Sequence, residues 1–191
     1  PFLSEELGID DIQYGNIIQA FLWAYTGMYV IAGRLIDRWG ARRMLAISMV
    51  WWSVANALHA TARSAFSLGA FRFLLGIGES GNFIAAEKVC SEWYPPRERG
   101  LANGLVNAAA SSGAILAPPM IAWIYSAYGW RPAFVITGML GFVWLIGWLR
   151  WYYPPEEHPR ITREESELLL GSRTGAGRLP WAAVLRFRQT W

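Results

Sequence analysis

The chain has 191 residues, 54% hydrophobic, 15% aromatic and 16% charged, with a formal net charge of +3 at pH 7. Soluble domains carry roughly 25% charged residues. Here the charges gather in short clusters between nearly charge-free runs of about 20 residues, the length that crosses a ~30 Å hydrocarbon core as helix. That pattern argues against a soluble single-core domain and for an all-α, polytopic membrane bundle. Of the 17 basic residues 16 are Arg, and they lie mainly between apolar runs, where they read as topology signals rather than a nucleic-acid surface. Cys90 has no cysteine to pair with, and His59 and His158 form no metal-ligand spacing, so redox and zinc chemistry drop out and no cofactor is expected.

The acidic, polar start ends in Asp10-Asp11-Ile12-Gln13, where Asp10 can cap a helix and Gln13 can reach back as capping-box partner. Five spans follow. Residues 12–36 form the first, uncharged except for Arg34, and a basic turn from Asp37 to Arg43 separates it from a second over 44–62. A third, over 66–93, carries Arg72, Glu79, Glu87 and Lys88 inside an apolar stretch, and Pro95-Pro96 must end it. Arg97 to Gly100 reads as a loop. The fourth span, over 101–124, is rich in Gly, Ala and Ser and is expected to break near Pro118-Pro119; the fifth runs over 132–151. Beyond residue 153 the chain turns polar: Thr162 and Glu165 are spaced as a capping box before a short helix over 166–170, then 171–177 reads as a flexible linker. Residues 1–153 therefore form the bundle and 154–191 a linker. Both ends look truncated, since no initiator Met or signal peptide opens the chain and another element should begin near Trp191.

Counting Lys and Arg in the short loops sets the orientation. Arg38, Arg42, Arg43, Arg97, Arg99, Arg150 and the tail arginines fall on one face, while the other has Arg63 and Arg131. The positive-inside rule makes the first face cytoplasmic and puts residue 1 outside a cell (inner or plasma) membrane. Trp93, Tyr94, Trp130, Trp151, Tyr152 and Tyr153 sit where interfacial aromatic belts belong.

After the first span the sequence reads Gly33-x-x-x-Asp37-Arg38-x-Gly40-x-Arg42-Arg43. A plain positive-inside turn accounts for the arginines but not for Gly33, Asp37 and Gly40 in register. Gly33 would permit close helix approach, and Asp37, at the unfavourable end of its own helix dipole, calls for a partner such as an Arg or another helix's N-terminus. This spacing resembles the signature loop between the second and third helices of the major facilitator superfamily. The resemblance implies a conformational lock made by Gly33, Asp37, Arg38, Gly40, Arg42 and Arg43. The family's fold has twelve helices in two six-helix halves, so the chain would supply helices two to six of the N-terminal half plus the central linker. It would then lack helix one and the C-terminal half, and such a piece alone should not transport.

On the third span, Arg72-Phe-Leu-Leu-Gly76-Ile-Gly78-Glu79 is similar to the fourth helix of the anion:cation symporters, a branch that includes hexuronate carriers. Seven residues rotate a helix by about 700°, so Arg72 and Glu79 lie about 20° apart on one face. Ionisable residues at membrane depth are costly and suggest a site. Arg72 offers a planar fork for a substrate carboxylate. Glu79 can be neutral when buried and charged when water or a cation approaches, as proton coupling requires. The alternative is a structural intramembrane pair. Glu87, Lys88 and Glu92 are assigned to the cytoplasmic end of the helix, with Lys88 about 180° round from Glu79.

Tyr25 lies twelve residues before Asp37, as a tyrosine does in aldonate-carrying relatives, and its hydroxyl could meet a sugar-acid oxygen; Tyr29 follows one turn on. Asn107 and Ser111 share a face of the fourth span, offering an amide and a hydroxyl, either to a polyol or as helix glue, and Gly104, Ala108 and Ser112 suggest tight packing on another face. Gly76-Ile77-Gly78-Glu79-Ser80-Gly81 matches G-x-G-x-x-G but lies inside a spanning helix, not between strand and helix, so its glycines point to helix contact rather than a nucleotide. No phosphate-cradling Gly-Lys-Ser/Thr motif or catalytic triad is present, and the chain is not read as an enzyme. The expected function is proton-coupled symport of an organic, sugar-acid anion such as a hexuronate. The alternatives are another organic-anion or sugar-phosphate exchanger of this fold, or a non-transporting scaffold or sensor. The partners implied are the lipid bilayer, a small organic anion, H+, and the missing helix one and C-terminal half, with no nucleic acid.

Overall fold

The computed structural model describes residues 6–162 and residue 165. The helix expected over 166–170, the linker 171–177, the basic tail beyond Arg160 and the position of residue 1 lie outside the described residues. Among the described residues there is no strand. Five helices carry the fold: α1 (Asp11–Leu58), α2 (Ala65–Glu79), α3 (Gly81–Trp93), α4 (Arg99–Tyr128) and α5 (Trp130–Trp151). Short 3-10 turns at His59–Thr61 and Pro155–Glu157 follow α1 and α5.

Helix α1 begins where its cap dictates. The Asp10 carboxylate accepts from the Gln13 backbone N–H at 2.7 Å, and the Gln13 side chain accepts from the Asp10 N–H at 3.2 Å. The expected basic turn between the first two spans shrinks to a single residue. Helix runs on both sides, and only Gly40, at φ 80° and ψ 156°, leaves helical geometry. Glycine alone adopts that left-handed backbone without a Cβ penalty, so α1 is two helices that meet at a kink at Gly40. Gly129 (φ 83°) makes the same kind of junction between α4 and α5.

Helices α2 and α3 follow one another through Ser80, which keeps right-handed helical angles (φ −56°, ψ −28°) while its hydroxyl donates to the Ile77 carbonyl at 2.9 Å. The fourth span does not break at Pro118-Pro119, and α4 continues to Tyr128. Each proline removes one ladder bond, yet in a water-free core a broken helix would leave many more backbone groups unpaired. Trp93 ends α3, with Tyr94 extended (φ −122°, ψ 136°) ahead of the prolines, as a residue before proline must be.

Close glycine contacts hold α2 and α3 against α1. A Cβ on Gly76 would stand 2.6 Å from the Phe21 carbonyl oxygen, one on Gly78 2.6 Å from Trp51 Cδ1, and one on Gly81 2.7 Å from Ser48 Oγ. The three glycines of the G-x-G-x-x-G run are therefore helix-packing positions. Gly33 and Gly104, read as close-approach glycines, have nothing within 4 Å of such a Cβ, and Ala108 and Ser112 are exposed. Helix α5 packs on the second half of α1, while α4 buries only Ala102 and Ile124. Outward surfaces are strongly apolar, with Ile12, Ile115 and Trp151 each more than 70% exposed. Helices α4 and α5 have mean hydropathies of 1.4 and 1.8 over their most apolar windows, fit for lipid rather than water.

The segment before α1 is clasped to the start of α5. Glu6 accepts from Trp130 Nε1 and from Arg131 at 2.9 Å, and the Arg131 guanidinium lies 4.2 Å over the Trp130 ring. The hydrogen bond from Trp130, then that from Arg131, holds the Glu6 carboxyl below its ordinary range. A depressed carboxylate contributes stability above its unfolded value, roughly 4.3, and loses it as pH falls through the lower folded value. Acidification below that range is expected to open the clasp, read as an acid step in Trp130 fluorescence. The step should vanish in Glu6→Gln.

Candidate functional site

Arg72 is placed by α2, which Ser64 starts by accepting from the Ser67 N–H at 3.2 Å. One face of α2 packs on α1 through its glycines, and Arg72, half-buried, turns toward α5 and α4. There it is the charged residue in the wall of a cavity of about 1280 Å³ shared with Trp52, Asn56, Tyr125, Phe134 and Thr137. Among the described residues Arg72 has no ion pair within 4.0 Å, so it and Glu79 are not a closed structural pair.

Glu79 is half-buried at the end of α2, within electrostatic reach of both Arg72 and Tyr25. Tyr25 belongs to an aromatic row on α1, its ring 5.8 Å from Phe21 and 5.9 Å from Tyr29. A Cβ on Gly76 would lie 3.2 Å from the Tyr25 backbone nitrogen, so the absent side chain is what lets Tyr25 sit beside the Arg72–Glu79 helix. Glu79 thus lies within reach of Arg72 on its own helix and of Tyr25 across the α1–α2 contact, while neither Glu79 nor Tyr25 lines the cavity that Arg72 faces. Tyr29 is more exposed, at 39%.

Asn107 and Ser111 are exposed on α4 and take no part in that cavity wall, where Ala109, Ala110 and Gly113 stand instead. The Asn107 amide donates to the Asn103 carbonyl of its own helix at 2.9 Å. Asn56, which the sequence reading passed over, does stand on the wall. Its Nδ2 donates to the Phe134 carbonyl (2.9 Å) and to Thr137 Oγ1 (2.8 Å), tying α1 to α5. A carboxamide inside an otherwise apolar span was the available signal.

Within the Gly33–Arg43 loop, Asp37 and Arg42 find partners elsewhere in the chain. Asp37 accepts from Lys88 Nζ at 3.2 Å, so its partner is neither an Arg nor a helix N-terminus, and Lys88 is drawn into the loop's network. Arg42 donates to the Leu149 carbonyl at 2.7 Å, near the end of α5, and lies 4.1 Å from the Tyr153 ring centroid. Trp148 Nε1 returns a bond to the Arg42 carbonyl at 3.1 Å. The last carbonyls of a helix lack intrahelical donors and carry its negative pole, which is why an Arg settles there. Arg38 and Arg43 are exposed.

The profile of the Major Facilitator Superfamily matches residues 1–191. The chain belongs to that superfamily. Among relatives of this major facilitator chain, the hexuronate transporter of Escherichia coli (strain K12) is 35% identical over 197 residues, covering 100% of the chain and 46% of that protein. The galacturonate transporter of Dickeya chrysanthemi is 36% identical, covering 100% and 57% respectively. A probable galactarate/D-glucarate transporter of E. coli K12 is 31% identical over 180 residues, covering 91% and 40%. The chain thus spans about half the length of the curated relatives it matches, and those relatives are transporters rather than enzymes. A solved structure of a bacterial homologue of the human lysosomal transporter Spinster, in an inward-facing and occupied conformation, aligns with TM-score 0.65 at 24% identity. It covers 85% of this chain and 41% of its own, and it supports the fold.

Proposed function

We propose that the full-length protein containing this chain is a secondary transporter that moves a sugar-acid anion together with protons. The chain supplies helices two to six of the N-terminal half and the linker 154–191, with residue 1 outside and the linker cytoplasmic. The observation that carries the reading is Arg72, a cation without an ion-pair partner on the wall of a largely apolar, membrane-depth cavity. A guanidinium without a contact ion pair there is costly, and an incoming carboxylate offsets that cost with a bidentate bond. Glu79 exchanges the proton, and Tyr25 presents a hydroxyl within reach of Glu79. Asn107 and Ser111 would serve from α4 only if that helix turns them inward during the cycle.

The relatives named for hexuronate, galacturonate and galactarate/D-glucarate transport support hydroxylated acids as the substrate class. A transporter of this kind alternates access by rocking its two halves around a central site. The Asp37–Lys88 and Arg42–Leu149 contacts supply the stiffness that lets one half move as a body. Uptake of labelled glucuronate and galactonate into vesicles bearing the full-length protein, with and without an inward proton gradient, tests the proposal. Gradient-stimulated uptake of either acid is expected. Uptake that needs a counter-substrate and ignores the gradient would reassign the protein as an exchanger.

A further inference from the structure

The group that the reading above leaves unused is His59, at the junction of α1 with its terminal 3-10 turn. It is fully buried, at 0% exposure. Its ring lies against Phe134 of α5 (5.0 Å between centroids, 17° between planes) and against Phe71 of α2 (5.9 Å, 54°). Phe71 immediately precedes Arg72, and Phe134 shares the cavity wall with it.

The geometry settles which nitrogen carries the hydrogen. Nδ1 is 2.8 Å from the Ala55 carbonyl oxygen, which only accepts, so Nδ1 is the N–H. In the neutral ring Nε2 is then a bare lone pair. It is buried and has no hydrogen-bond partner. A polar atom in that condition is expensive to keep and calls for an explanation. The arginine of the next element supplies the complement: five N–H donors and no acceptor, without a hydrogen bond or ion pair among the described residues. The His59 ring lies within its electrostatic reach.

Resting on the transport reading, we propose that His59 is a positioning residue for Arg72. In one state of the cycle Nε2 accepts a guanidinium N–H, holding the fork on the cavity wall so that a substrate carboxylate meets it already aimed. His59 touches no substrate itself. Closing this contact satisfies both groups at once. The Phe134 stack and the Ala55 bond fix the acceptor's direction.

Two measurements on the full-length protein test the proposal, one of them independent of any substrate. His59→Phe keeps the aromatic stack but removes Nε2; His59→Gln restores an acceptor. Titration of glucuronate binding is expected to weaken about tenfold in His59→Phe, the size of a lost hydrogen bond to a charged group, with partial recovery in His59→Gln. In an Arg72→Gln background His59→Phe should cost nothing further, because its effect passes through Arg72. A loss that adds fully to that of Arg72→Gln would overturn the proposal and leave the ring as core filling. The second measurement is the imidazole 15N spectrum, with the His59 signal identified by its loss in His59→Phe. A lone-pair Nε2 resonance that moves in Arg72→Gln is expected. If the protein binds no sugar acid, the transport reading fails while this signal still decides whether the two side chains meet. A resonance indifferent to Arg72→Gln sinks the contact itself.

Discussion

Replacing Glu79 by Gln in the full-length protein is expected to lower gradient-driven uptake of sugar acids by about 100-fold or more, the scale set by removing a positioned proton carrier, while substrate exchange across the membrane continues. Glutamine keeps the shape and hydrogen-bonding reach of the carboxylic acid but cannot release a proton. Glu79 sits half-buried on the same helix as Arg72, within electrostatic reach of it and of Tyr25. On the proposed reading, a substrate carboxylate that neutralises the Arg72 guanidinium would let Glu79 take up a proton, and release of substrate would let the proton go. Exchange needs only binding and the rocking of the halves, neither of which asks Glu79 to ionise. Counterflow and acidification assays on the same vesicles separate the two activities. Wild-type uptake with proton influx in Glu79→Gln would remove Glu79 from the coupling step.

The second large effect concerns folding. Gly78→Leu should destabilise the full-length protein by about 3 kcal/mol, at the upper end of ordinary overpacking, because the atoms in the way cannot give. A Cβ at Gly78 would lie 2.6 Å from Trp51 Cδ1 and 2.9 Å from the Trp52 backbone nitrogen. Trp51 is itself pinned, its Nε1 donating to the Leu74 carbonyl at 2.8 Å. The added side chain would have to push α2 off α1, and with it Arg72 off the cavity wall. Lower yield in the membrane and a depressed melting temperature in detergent are the expected readouts. Gly100→Ala, where nothing stands within 4 Å, is the matched control and should be neutral or slightly stabilising. Equal melting temperatures for Gly78→Leu and wild type would show that the α1–α2 contact is looser than its glycines imply.

Much of the site was legible in the chain because its determinants are local. The Asp10–Gln13 capping box, the stop at Pro95-Pro96 and the common face of Arg72 and Glu79 depend on residues within two helical turns of one another. Helix geometry alone relates them. Side chains with partners far along the chain were not legible in this way. Asp37 finds Lys88 51 residues on, and Arg42 finds Leu149 107 residues on. Neither pairing follows from spacing, because many exposed cations and free helix carbonyls were equally available. The glycines show the same division: the sequence marks Gly33, Gly76, Gly78 and Gly104 alike, and only docking makes Gly76 and Gly78 contact points.

By itself, the sequence determined that this protein is a helical membrane bundle with an arginine and a carboxylate seven residues apart on one helix. An apolar helix in lipid must satisfy its own backbone, and that demand is written residue by residue. Only the tertiary structure decided that Gly40 alone joins two spans, that α4 runs through both prolines, and that Asn56 shares a cavity wall with Arg72. Those outcomes depend on which helix faces meet, and a face acquires a neighbour only when the whole bundle closes.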